Sequence, residues 1–111
     1  MIDSFDFGRI VVDGKNYEDV KIIGDKVINW QYVEHHTVIK QDVIEIFEDN
    51  PEIVVIGTGV DGLVHIQKEV IKFASEKGIE LVIESTKKAC EVYNRLKKEG
   101  KKVNAIIHST C

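Results

Sequence analysis

Residues 53–62, I-V-V-I-G-T-G-V-D-G, carry the spacing with the clearest chemical use in this chain. An apolar, β-branched run ends on Gly57, and Gly57, Gly59 and Gly62 stand as G-x-G-x-x-G. Glycine has no Cβ and reaches positive φ at little cost, so such a bend lets backbone amides approach an anion. The chemistry on offer is anion binding by the amides of Thr58 to Asp61, with Gly57, Thr58, Gly59 and Asp61 as the candidate residues. A dinucleotide would need more. Glu80 and Glu84 fall near the place of a ribose-binding acid. However, Leu63-Val64-His65-Ile66 intervene before the next helix, whereas a dinucleotide fingerprint opens its helix directly. Only one mononucleotide-sized half is present. A small anion is favoured over a nicotinamide or flavin, and no cofactor is implied. The plainer reading is a tight turn where the strand passes close beneath a neighbouring loop.

Histidine and cysteine offer a second chemistry. The histidines are His35, His36, His65 and His108, and no H-x-x-x-H, H-E-x-x-H or C-x-x-C spacing marks a metal site. His108 and Cys111 share the run H-S-T-C, where an imidazole beside a thiol could generate a thiolate nucleophile. The plainer expectation, which the sequence favours, is that His108 hydrogen-bonds inside a sheet and Cys111 trails as a free thiol. His36, near Trp30 and Tyr32, could face the same cleft as the glycine bend. Cys90 lies in a lysine-rich helical pattern and reads as a small buried residue.

Composition narrows the classes. A chain of 111 residues with 43% hydrophobic and 31% charged side chains suits one domain with its own core. Two cysteines are too few for a disulfide framework, no apolar run approaches the ~18 residues of a membrane span, and the opening residues lack a leader pattern. A cytoplasmic setting is expected. The net charge of −4 is uneven: residues 87–102 carry seven basic side chains against Glu91 and Glu99, a local +5 that leaves −9 elsewhere. A lysine stripe on the solvent face of a helix accounts for this, and the acidity elsewhere argues against nucleic acid.

The elements that must hold these groups follow from periodicity. Arg9–Val12, Asp19–Ile23 and Lys26–Trp30, separated by Asp13-Gly14 and Gly24-Asp25, predict a three-stranded antiparallel meander. Residues 31–39 show no period and read as a loop. Val43, Ile46 and Phe47 predict a helix over about Lys40 to Asn50, stopped by Pro51. From Ile53 the pattern alternates: a strand over Ile53–Ile56, a helix over Gln67–Lys77, and a strand over Ile79–Ile83. A helix capped by Ser85 or Thr86 and stopped by Gly100 follows, then a strand over Val103–Ile107. That order predicts an α/β fold with helices packed on a sheet at least partly parallel.

Taken together, these residues resemble a small family of uncharacterised proteins. It includes archaeal and bacterial single-domain members, the human adipogenesis-associated domain-containing protein and a mitochondrial assembly factor for respiratory complex I. The resemblance rests on Phe7-Gly8, Trp30, His36 ahead of Pro51, V-I-G-T-G at Val55–Gly59, Thr86 with Ala89 and Tyr93-Asn94, and the ending A-I-I-H-S-T-C from Ala105 to Cys111. It implies a three-layer single domain: a mixed central sheet, helices on it, and the N-terminal β-meander as an added layer. In that family the bend is G-x-G, which makes Gly62 incidental. The family has no established catalytic activity, and its better-known eukaryotic members look like assembly or regulatory proteins. The function expected here is a non-enzymatic binding or assembly domain with a protein partner. The alternative is a small-anion or metabolite site, enzymatic or not, at Gly57-Thr58-Gly59 with His36, His108 and Cys111.

Overall fold

A computed structural model describes residues 1–111, and its centre is a mixed five-stranded sheet. In chain order the elements are β1 (Ile2–Asp6), β2 (Arg9–Val12), β3 (Lys15–Tyr17), β4 (Val20–Ile23), β5 (Lys26–Asn29), β6 (Thr37–Val38) and α1 (Lys40–Glu48). There follow β7 (Ile53–Thr58), β8 (His65–Ile66), α2 (Lys68–Glu76), β9 (Glu80–Glu84), α3 (Thr86–Lys98) and β10 (Val103–His108). The central sheet runs β5-β4-β10-β7-β9, with β10 parallel to β7, β7 parallel to β9, and β4 antiparallel to both β10 and β5. The architecture is the expected three-layer α/β one, with an antiparallel N-terminal sheet.

The meander has a different membership from the one expected. Its strands are β1, β2 and β3, while β4 and β5 form a hairpin that joins the central sheet. The Asp13-Gly14 turn is present, with both residues at positive φ, but it leads into β3, whose Lys-Asn-Tyr composition carries no apolar alternation to reveal it. β4 leaves for the central sheet because Val20 and Ile22 bury against β10.

Alternation along the central strands creates two cores. Ile53 and Val55 of β7, with Val103, Ala105 and Ile107 of β10, face Ala89, Tyr93 and Leu96 of α3 and the meander's Ile2, Ile10 and Val12. Val54, Ile56 and Ile106 face the other way, onto Val43, Ile46 and Phe47 of α1 and Val70 and Ala74 of α2. Asn94 locks the meander onto α3: it accepts from the Ile2 amide at 2.9 Å and donates to the Ile2 carbonyl at 2.8 Å. Both β-α-β crossovers put the C-terminal ends of β7, β9 and β10 at one edge, where open α/β sheets place ligands.

Candidate functional site

His108 closes β10 and pairs in register with Thr58 at the end of β7. On its other side, Ile107 pairs with Val20, so the next antiparallel step sets His108 opposite Asp19. His108 Nδ1 lies 3.0 Å from Asp19 Oδ2, and both residues are buried. Asp19 is itself held: its Oδ1 accepts from the Ser109 amide at 2.7 Å and the Ser109 hydroxyl at 3.2 Å, and its carbonyl accepts from the Trp30 amide. This carboxylate orients the imidazole with Nδ1–H toward Asp19, so that Nε2 points outward.

Around Nε2 the C-terminal residues gather. The Thr110 hydroxyl lies 2.9 Å away and Cys111 Sγ 3.1 Å away. His36 Nδ1 also contacts Cys111 Sγ, so two imidazoles meet one sulfur. His36 reaches it from the 31–39 loop, which β6 and β8 pin down through a short parallel ribbon and a bond from the His65 amide to the His36 carbonyl at 2.8 Å. Its φ of +54° is uncommon for a residue with a side chain. Trp30 and Tyr32 stand edge-on to His108, each with ring centroids 5.9 Å from it. The Trp30 indole donates to Asp42 Oδ1 at 3.1 Å, anchoring that wall to the first turn of α1. A cleft of about 920 Å³ opens beside the cluster, lined by Tyr17, Asp19, Trp30, Tyr32, His108 and Ser109 among others.

The glycine bend adjoins this cluster as the tight turn of the plainer reading. Gly57, Thr58 and Gly59 are buried, while Asp61 is exposed. The Gly59 amide donates to Thr86 Oγ1, the Val60 amide to the Thr110 carbonyl, the Asp61 amide to the Cys111 carbonyl and the Gly62 amide to the Gly59 carbonyl. These amides, expected to face an anion, are thus spent within the chain. A Cβ at Gly59 would lie 2.2 Å from the Thr110 carbonyl oxygen, and one at Gly57 would lie 2.8 Å from Ile107 Cγ2. The glycines are there because the C-terminal segment crosses directly over them, which is the turn beneath a neighbouring segment. The intervening Leu63–Ile66 run is loop and extended strand, and α2 starts only at Lys68. The geometry of a dinucleotide fingerprint is therefore absent.

Thr86 couples the parts. Its hydroxyl accepts from Gly59 N at 2.8 Å and donates to the His108 carbonyl at 2.5 Å, instead of capping α3. Cys90 is buried on α3, where desolvation and then Glu91 push its thiol up to about 12. The lysines of the stripe project outward from α3 and the turn after it. Of the sequence candidates, His36, His108 and Cys111 come together. Sequence reasoning missed Asp19; only the β4–β10 pairing, which has no sequence signal, identifies it.

Comparison with known proteins gives the chain a family. Residues 2–108 match the model of the family described as "Protein of unknown function (DUF498/DUF598)", and the chain belongs to it. The human NADH dehydrogenase (ubiquinone) 1 alpha subcomplex assembly factor 3 is 29% identical over 110 residues, covering 96% of this chain and 59% of that protein. Its Bos taurus counterpart is 27% identical with the same coverage. The chain thus spans well under two thirds of the length of these curated relatives. Among solved structures, a protein called MT938 superposes with a TM-score of 0.85 at 26% identity, covering 100% of this chain and 98% of that one. A conserved hypothetical protein from Pyrococcus horikoshii OT3 shares the fold, with a TM-score of 0.88 at 22% identity over 100% of this chain and 99% of that one. No helix is long and apolar enough to cross a membrane.

Proposed function

We propose that this protein is a binding domain of the assembly-factor kind, acting through protein contacts at the strand-end edge around Cys111. One observation carries the reading: large apolar side chains stand exposed on the loops that converge there. Phe7 is 72% exposed, Leu63 68% and Val33 60%. Phe7 precedes Gly8, whose amide donates to the Ser109 carbonyl; Leu63 belongs to the loop bonded to Thr110 and Cys111; Val33 lies in the loop that carries His36. Exposed apolar residues grouped around one edge are what a protein interface uses. The relatives named as assembly factors agree with such a role. Two free thiols, one of them accessible, fit a reducing cytoplasm.

The test is affinity purification of the full chain under native conditions, beside Phe7→Asp and Leu63→Asp. Both variants should keep the wild-type melting temperature and lose the co-purifying partner. Repeated recovery of the wild-type protein alone would reject the reading, as would undiminished partner recovery by both variants.

A second reading is favoured by the meeting of His36, His108 and Cys111. It is a small-ligand or reactive site in which Asp19 orients His108 and the cleft beside it admits the ligand. Faster alkylation of Cys111 in the wild type than in His108→Ala would support it; equal rates would not.

A further inference from the structure

We propose that His36 Nδ1, His108 Nε2 and Cys111 Sγ bind a single zinc-like divalent metal ion, with one coordination position left open to solvent. This names the ligand class of the second reading above and rests on its cluster. The three donor atoms lie within 4.8 Å of one another, and His108 Nε2 is 3.1 Å from the sulfur. In a tetrahedral zinc site with Zn–N near 2.0 Å and Zn–S near 2.3 Å, ligand atoms stand roughly 3.5 Å apart. The His108–Cys111 pair is near that spacing, and a shift of the exposed His36 ring brings its nitrogen to it.

Three features point to a metal rather than to a thiol–imidazole nucleophile. A nucleophile needs one imidazole, whereas here two converge on the sulfur, one from its own terminal run and one from a loop 75 residues away. The donor set of two nitrogens and one sulfur, without a carboxylate, suits zinc and excludes calcium or magnesium as the preferred ion. Behind His108 stands the carboxylate–histidine arrangement that metal sites use to fix a ligand's tautomer: Asp19 accepts a hydrogen bond from Nδ1–H, so the proton stays on Nδ1 and the lone pair is on Nε2. Ser109 holds Asp19 in turn. His36 is exposed and Cys111 half-buried, so the open position faces outward, where water or a donor from another molecule completes the shell. Binding converts the Cys111 thiol to a thiolate and releases its proton to solvent.

The experiment uses the full chain, reduced and stripped of metal. Co²⁺ is titrated as an absorbing probe, and Zn²⁺ affinity is read by competition with a chromophoric chelator. The expected result is one equivalent of Co²⁺ with a thiolate-to-metal charge-transfer band and d–d bands of tetrahedral intensity. Cys111→Ser should abolish the charge-transfer band, and His36→Ala, a change at an exposed residue, should weaken Zn²⁺ by about 10-fold or more. Asp19 is a positioning residue, so Asp19→Asn should weaken Zn²⁺ by about 10–100-fold while leaving the charge-transfer band in place at saturation. Cys90→Ser should leave the charge-transfer band and the Zn²⁺ affinity unchanged. A missing charge-transfer band in the wild type, or wild-type Zn²⁺ affinity in both Cys111→Ser and His36→Ala, overturns the proposal. If the band is missing and Cys111 still alkylates faster than in His108→Ala, the metal site falls and the reactive-site reading stands.

Discussion

Asp19 Oδ2 and His108 Nδ1 sit 3.0 Å apart, although 89 residues separate them in the chain. The pairing is a consequence of register. Since Ile107 faces Val20, the step beyond the β4–β10 ladder leaves His108 opposite Asp19. Asp19 also accepts from the Ser109 amide, so one carboxylate fixes both the ring and the chain leading to Cys111.

Removing that carboxylate strands two buried N–H donors, His108 Nδ1 and the Ser109 amide, besides the Ser109 hydroxyl, which can rotate. Asp19→Ala should therefore destabilise the fold by about 3 kcal/mol, as leaving each buried group unsatisfied costs about 1–3 kcal/mol. Chemical denaturation measures it. A loss of less than about 1 kcal/mol would mean that water or a rearranged Ser109 replaces the carboxylate.

The glycines of the bend should differ in tolerance. Gly59 has φ +99° and its added Cβ would meet the Thr110 carbonyl oxygen at 2.2 Å, a backbone atom that cannot swing aside. Gly59→Ala should displace the 109–111 segment and lower the melting temperature markedly. Gly62 has φ +69° but its nearest contact would be Thr58 Oγ1 at 3.6 Å, so Gly62→Ala should cost only the left-handed penalty of about 1 kcal/mol. Equal melting temperatures for the two variants would contradict the crossing geometry.

Thr86 offers a cleaner probe because its hydroxyl does two jobs, both on backbone atoms, without touching the cluster's side chains. Thr86→Val keeps the shape and loses both bonds, leaving the Gly59 amide and the His108 carbonyl without these partners, at a cost of about 2 kcal/mol. Thr86→Ser retains the hydroxyl and should cost about 1 kcal/mol for the missing methyl. The order of the two variants in a urea titration is the readout.

The two thiols should be distinguishable. Cys90 is buried, with its thiol raised from 9.0 to about 12, so it should resist alkylation in the folded protein until the fold opens. Cys111 is half-buried and should be modified first. Peptide mapping after iodoacetamide treatment identifies the order.

Alkali should weaken the fold through the same burial. Desolvation, then Asp13 and Asp25, raise the Tyr93 hydroxyl from 10.0 to about 12, alongside Cys90. In the unfolded chain these groups release their protons near their ordinary values, while in the native state they keep them. The native state therefore holds more protons above about pH 9, and stability falls as pH rises from about 9 to 12. Tyr93→Phe should flatten that fall in a series of melts. An unchanged slope would assign it to other groups.

The layout of the second half was legible because its signals are local. Val43, Ile46 and Phe47 mark α1 at helical spacing, Ile53–Ile56 mark a buried strand, and Gly78 and Gly100 end their helices, each at positive φ. Such patterns depend on neighbours within a turn or two of chain. The first half was less legible: β3 is three residues with only Tyr17 partly buried, so no alternation announces it.

The sequence alone determined which chemical groups are available and the elements that carry them: a glycine bend after an apolar strand, histidines in a loop and at a strand end, and a thiol beside the last of them. Tertiary structure decided what those groups face. The amides of the bend turned inward, those of Val60 and Asp61 onto the C-terminal segment that crosses it, a contact set by β10 lying beside β7. Asp19 reached His108 through strand register, and His36 reached Cys111 across 75 residues through the β6–β8 ribbon. Periodicity reports which face of an element is buried; pairing between distant segments sets which side chains meet there.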